Sequence, residues 1–137
     1  MVRWKDCTIG AIETTFGAGY KMFKWVDGRQ NSGYFKLKIF ESRLFKFDCY
    51  LLKFPEGSVI DKHKDPVTAG YQHHRLNITL IDAVLGGFFL IKHIGDVEFK
   101  PNLNRFVKFR PDVEEHYATE VRQGTKYVLS IGWLKKI

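Results

Sequence analysis

Residues 75–81 read Arg75-Leu76-Asn77-Ile78-Thr79-Leu80-Ile81, and the alternation in this stretch decides the fold class. Arg75, Asn77 and Thr79 fall on one side of an extended chain, and Leu76, Ile78 and Leu80 on the other. A period of two marks a β-strand, because successive side chains leave a pleated backbone on opposite faces. The pattern recurs in both directions. Upstream, Phe35, Leu37 and Ile39 alternate with Lys36 and Lys38, and Leu44–Phe54 is a second aromatic run closed by the turn residues Pro55-Glu56-Gly57. Downstream, Gly86-Gly87 breaks the chain before Phe88–Ile91, and Arg105–Arg110, His116–Val121 and Lys126–Trp133 follow as further strand candidates. Helical periodicity is weak and confined to the first forty residues. Many short strands, with turns every 8–12 or so residues, predict an all-β sandwich, barrel or jelly roll. The first third is expected to add a helix or extra strands that cover one face.

Composition agrees with one globular domain over residues 1–137. The chain has 137 residues, 15% of them aromatic, and a formal charge of +7. Twelve Phe, six Tyr and three Trp carry too much surface seeking burial for a disordered chain. No apolar run approaches the roughly 20 residues of a membrane span, and Met1-Val2-Arg3-Trp4-Lys5-Asp6 lacks the apolar stretch of a secretory leader. Cys7 and Cys49 are the only cysteines and lie far apart, which argues against a disulfide framework or a thiolate zinc site and for a reduced, cytoplasmic setting. The positive charge favours polyanion attraction but says nothing about fold.

Metal chemistry needs lone-pair donors in fixed geometry, and histidine supplies them. There are five: His63, His73, His74, His93 and His116. In His63-Lys64-Asp65, an extended backbone sends residues i and i+2 to the same side, so imidazole and carboxylate can converge on one ion. A third ligand from another strand would complete a two-histidine, one-carboxylate face with open coordination positions, as non-haem Fe(II) oxygenases require. The spacing is weak by itself, since a single histidine is most often a surface or hydrogen-bonded side chain.

The order of features strengthens it. Phe54-Pro55-Glu56-Gly57 leads into His63-Lys64-Asp65, then His74-Arg75-Leu76-Asn77-Ile78-Thr79-Leu80, then Gly86-Gly87-Phe88-Phe89. Phe109-Arg110-Pro111-Asp112 comes shortly before His116, and Val121–Trp133 closes the series. Over about residues 45–134 the chain resembles the Fe(II)- and 2-oxoglutarate-dependent oxygenases, in the prolyl-4-hydroxylase-like branch, and its length is similar to small stand-alone members, including those carried by viruses of bacteria. The resemblance implies a double-stranded β-helix, a cupin-like jelly roll, with iron held by His63, Asp65 and His116. It implies 2-oxoglutarate and O2 as co-substrates, decarboxylation to succinate, and hydroxylation of a substrate, a peptide or protein side chain before nucleic acid. In this family a basic residue nine or ten positions after the second histidine anchors the distal carboxylate of 2-oxoglutarate. Lys126 stands ten after His116.

One departure concerns a tyrosine that the family often places on the strand before His-x-Asp. Phe54 stands nearest that position and has no hydroxyl to donate. Tyr50, four residues earlier on the same face, or Asn77 and Thr79 on the next strand, are the substitutes. This departure motivates an alternative, a cupin-like metal-binding protein that does not use 2-oxoglutarate. A third reading, a non-catalytic basic module for nucleic acid, rests on the +7 charge and on Lys100, Arg105, Lys108 and Arg110. His73 and His74 could line a substrate mouth, His93 reads as structural, Trp133 as core, and Gly86-Gly87 as a tight turn or close backbone approach.

Overall fold

The computed structural model describes residues 24–28 and 32–137. Among the described residues there are twelve strands and no helix. Strands β1 (Trp25–Asp27), β2 (Phe35–Ser42), β3 (Phe47–Phe54), β12 (Lys126–Lys136), β5 (Tyr71–Ile81) and β9 (Phe106–Phe109) form a six-stranded antiparallel sheet in that spatial order. Strands β4 (Ile60–His63), β10 (Glu115–Ala118), β7 (Phe89–Lys92) and β8 (Lys100–Asn102) form a smaller antiparallel sheet in that order. A two-stranded ribbon of β6 (Leu85–Gly86) and β11 (Val121–Gln123) completes the set. The chain passes repeatedly between the two main sheets, which is the winding of a double-stranded β-helix. Among the described residues the first third supplies β1 and β2, which prolong the edge of the large sheet instead of covering one of its faces; residues 1–23, where a helix was the other option, lie outside the described residues.

The alternation that identifies β5 also sets its orientation. Arg75, Asn77 and Thr79 line a cavity of about 580 Å³ between the sheets, together with Asp48, Tyr50 and Leu52 of β3 and Lys126, Val128 and Ser130 of β12. The register explains the coincidence: Ser130 pairs with Tyr50 on one side and Asn77 on the other, so all three side chains share one face. The large sheet therefore turns a mainly polar face inward. Apolar packing is concentrated at one end of this cavity, where buried Phe54, Val121 and Val128 gather Tyr34, Leu52 and Ile60.

Two expected strands are shorter than their sequence patterns. Leu44–Phe45 belongs to the β2–β3 turn, where Lys46 adopts a positive φ of 52° and the Phe45 amide donates to the Ser42 hydroxyl at 3.2 Å. His116–Val121 divides into β10 and β11, because Thr119 and Glu120 leave the small sheet to meet the Gly86-Gly87 segment. A Cβ on Gly86 would stand 2.1 Å from the Glu120 carbonyl oxygen, and its φ is +79°, so this crossing admits only glycine.

Candidate metal centre

His63 and His116 face each other as a directly paired residue couple between β4 and β10. Cross-strand partners share a face, and the imidazole centroids are 4.3 Å apart. Strand β4 ends at His63, yet Asp65 is held in place beyond it: its amide donates to the Pro111 carbonyl at 2.7 Å. One ligand atom from each of His63, Asp65 and His116 lies within 4.8 Å of the others, and this is the one such group of three among the described residues.

Backbone carbonyls fix both imidazoles. Nδ1 of His63 donates to the Asp61 carbonyl at 2.8 Å, and Nδ1 of His116 donates to the Glu114 carbonyl at 2.9 Å. With the proton on Nδ1, the lone pair of a neutral ring sits on Nε2, the tautomer a metal ligand needs. His63 Nε2 is 3.3 Å from Asp65 Oδ1. A lone pair and a carboxylate oxygen at that separation require positive charge between or on them, either a proton or a metal ion. Burial would push the Asp65 carboxyl up, but its hydrogen bond to His63 and the charges of His116, His63 and His73 outweigh that and hold it below its ordinary value. The carboxylate is thus the favoured form, and the donor set suits a divalent cation with nitrogen and oxygen preference.

The β9–β10 loop locks two of the three ligands at once. The Arg110 guanidinium makes two hydrogen bonds to Asp112, each of 2.9 Å, and the Glu114 side chain accepts from the Arg110 amide at 2.6 Å. His93 braces the loop from outside by hydrogen bonding Glu114. From this loop the Pro111 carbonyl holds Asp65 and the Glu114 carbonyl holds His116. That is the physical content of Phe109-Arg110-Pro111-Asp112 preceding His116.

Lys126 opens β12 and lines the same cavity. Its Nζ donates to the Gly87 carbonyl at 2.8 Å and lies 4.0 Å from Asp82. Burial lowers its pKa, and the nearby Asp82 opposes the shift only partly. Tyr50, Asn77 and Thr79 line the cavity too. Phe54 is buried in the apolar cluster and stacks on Tyr34 at 4.9 Å between centroids. Tyr34 lines the cavity as well, a phenol that the sequence pattern did not single out, since it stands before the first clear alternation.

Sequence reasoning also missed a polar chain across three strands. The Arg75 guanidinium donates to both Asp48 carboxylate oxygens at 3.0 and 3.2 Å and to the Ser130 hydroxyl at 2.8 Å. Ser130 in turn donates to Asn77 Oδ1 at 2.6 Å. The only signal was that Arg75 shares a face with Asn77 and Thr79. On the far side of Asp65 a second, more open groove of about 600 Å³ is bounded by Glu41, Phe47, Pro66, His73 and Trp133, and Asp48 and Asp65 belong to the walls of both pockets.

The basic residues singled out in the sequence each have a partner. Lys100 pairs with Asp96, Arg110 with Asp112, Lys108 lies over Trp133, and Arg105 donates to the Thr79 carbonyl. Lys62 turns outward over Phe99 and Tyr117. Trp133 is partly buried and stacks on His74 rather than filling the centre of the core. No helix among the described residues is long and apolar enough to cross a membrane.

No protein-family model matches the chain, and neither does any curated protein sequence. Solved structures do. A Pseudomonas putida prolyl-4-hydroxylase superposes with a TM-score of 0.52 at 16% identity, covering 66% of this chain and 52% of that one. A 2OG-Fe(II) oxygenase family oxidoreductase from Burkholderia pseudomallei gives 0.51 at 18% identity, over 77% of this chain and 45% of that one. The chain thus spans about half the length of these two oxygenases. The cupin domain of Cnp3 from Schizosaccharomyces pombe gives 0.52 at 9% identity, over 80% and 69%. These likenesses establish a fold common to cupins and 2-oxoglutarate oxygenases.

Proposed function

We propose that this protein is an Fe(II)- and 2-oxoglutarate-dependent oxygenase that hydroxylates a peptide or protein side chain while converting 2-oxoglutarate to succinate. The observation that carries the reading is one cavity containing both a two-histidine, one-carboxylate triad and a sequestered lysine. His63, Asp65 and His116 would hold the iron, and three ligands of this kind leave adjacent coordination positions open. Bound iron supplies the dioxygen activation, while the protein contributes position and electrostatics.

The chain's own residues do the rest. Lys126 presents a cation to the distal carboxylate of the co-substrate, with Gly87 orienting its Nζ. Tyr50, Asn77 and Thr79 supply polar contacts along the wall, and Leu52, Phe54 and Val128 keep the inner end dry. A cavity of about 580 Å³ falls in the range of small-molecule sites and exceeds what a five-carbon keto diacid needs, leaving room for an incoming side chain.

The anaerobic protein with Fe(II) and 2-oxoglutarate should develop the visible charge-transfer band of a chelated keto acid, and His116→Ala should abolish it. A folded protein without the band sinks the proposal. Phe54 in the apolar cluster, nearest the position where the oxygenase family often has a tyrosine, favours a second reading: a cupin-like metal protein that makes no use of 2-oxoglutarate. Succinate formation that depends on Lys126 would exclude it.

A further inference from the structure

His73 lies outside the triad but touches it. Its Nδ1 is 3.9 Å from Asp65 Oδ2, while Oδ1 of the same carboxylate faces His63 at 3.3 Å. The two oxygens of Asp65 therefore address different histidines. On the other side of the His73 ring, Nε2 accepts from Arg75 Nη2 at 3.4 Å. An acceptor Nε2 obliges a neutral ring to carry its proton on Nδ1, the atom directed at Asp65.

The surroundings hold His73 at both backbone groups. Its amide donates to Asp112 Oδ2 at 3.1 Å and its carbonyl accepts from Arg110 Nε at 3.1 Å. The ion pair that shapes the β9–β10 loop thus also fixes the start of β5. Arg75 is constrained as tightly, since a Cβ on Gly132 would stand 2.2 Å from its Nη2. These contacts hold the His73 backbone at both ends and the Nε2 side of its ring.

We infer that His73 is a positioning residue for the metal centre. Its Nδ1–H engages Asp65 Oδ2 and so presents Oδ1 alone to the ion, keeping the carboxylate monodentate and a coordination position open. The gap of 3.9 Å is longer than a hydrogen bond. It closes by a small rotation of the Asp65 carboxylate when a cation, rather than His63, takes Oδ1. Partners of this kind typically change metal affinity by about 10–100-fold. The inference rests on the metal-centre reading above.

The test uses the full chain and Co(II) as probe, with affinity from titration and coordination from the visible d–d bands. Asparagine places an N–H near the position of Nδ1, whereas glutamine places it nearer Nε2. His73→Asn should bind Co(II) within a few-fold of the parent with an unchanged spectrum. His73→Gln and His73→Phe should bind about 10–100-fold more weakly, with shifted bands. Far-ultraviolet dichroism identifies any variant that fails to fold, and the Asn–Gln comparison then decides, both being close in size to histidine. Equal affinity and equal spectra for Asn and Gln variants overturn the positioning role and leave the metal centre standing. Failure of the parent chain to bind Co(II) overturns both.

Discussion

Burial drives the Lys126 ammonium toward its neutral form, with Asp82 only partly opposing it. Lys126 therefore loses its proton at a lower pH than an exposed lysine. Its cation is complete below that lowered pKa and disappears as pH rises through it, so 2-oxoglutarate affinity should fall on the alkaline side earlier than a free lysine would dictate. Titration of co-substrate affinity against pH checks the direction, and Lys126→Arg should move the loss to higher pH because guanidinium stays charged. Lys126→Met should weaken 2-oxoglutarate binding about 10–100-fold, the worth of a hydrogen bond to a charged group, while leaving metal affinity unchanged. The place of Lys126 in the cavity wall agrees with its offset from His116 in a strand pattern. The role of Arg75 was not legible in the sequence, because its partners Asp48 and Ser130 are brought to it only by the strand order β3-β12-β5.

Elements place the site more than local propensity does. The β9–β10 loop holds Asp65 and His116 through two backbone carbonyls and His73 through the Asp112 carboxylate, and the Arg110–Asp112 pair gives it shape. Burial raises the Asp112 carboxyl, but hydrogen bonds from Arg110 and the His73 amide prevail and hold it below its usual value. A depressed carboxyl contributes stability that is present above its unfolded pKa and lost as pH falls through its folded one. Asp112→Asn should therefore lower stability at neutral pH by about 2–4 kcal/mol, narrow the difference from the parent in acid, and weaken metal binding; denaturant melts at several pH values would show it. Gly86→Ala should cost about 2–4 kcal/mol, since its Cβ meets the Glu120 carbonyl and its φ is positive. Strands announce themselves by period two, and β2 and β5 were readable that way, while β3 was readable as an aromatic run closed by turn residues. The split between β10 and β11 was not, because one glycine crossing decides it and alternation continues through it.

For the whole molecule, the triad joins the end of β4 to β10 within the small sheet, and the Pro111 carbonyl links Asp65 to the loop that follows β9 of the large one. Ligands that bind only the native state stabilise it by mass action, about 2.7 kcal/mol at a hundredfold excess over Kd. Fe(II) or Co(II) should raise the Tm by several degrees, chelator should reverse it, and His116→Ala should remove it. The +7 charge offers a contrast. Composition made it conspicuous, yet among the described residues lysines and arginines enter ion pairs, lie over aromatic faces and line the cavity wall. Net charge is a sum, and only the three-dimensional arrangement says whether it is a surface.

Asp65 and Asp48 belong to the walls of both pockets. The Asp65 carboxylate, a candidate metal ligand, accordingly stands between two compartments rather than at the floor of a single well. A bulky occupant of the outer groove would press on the same group that orders coordination inside. Chemistry in the inner chamber is thereby exposed to whatever leans on the outer one.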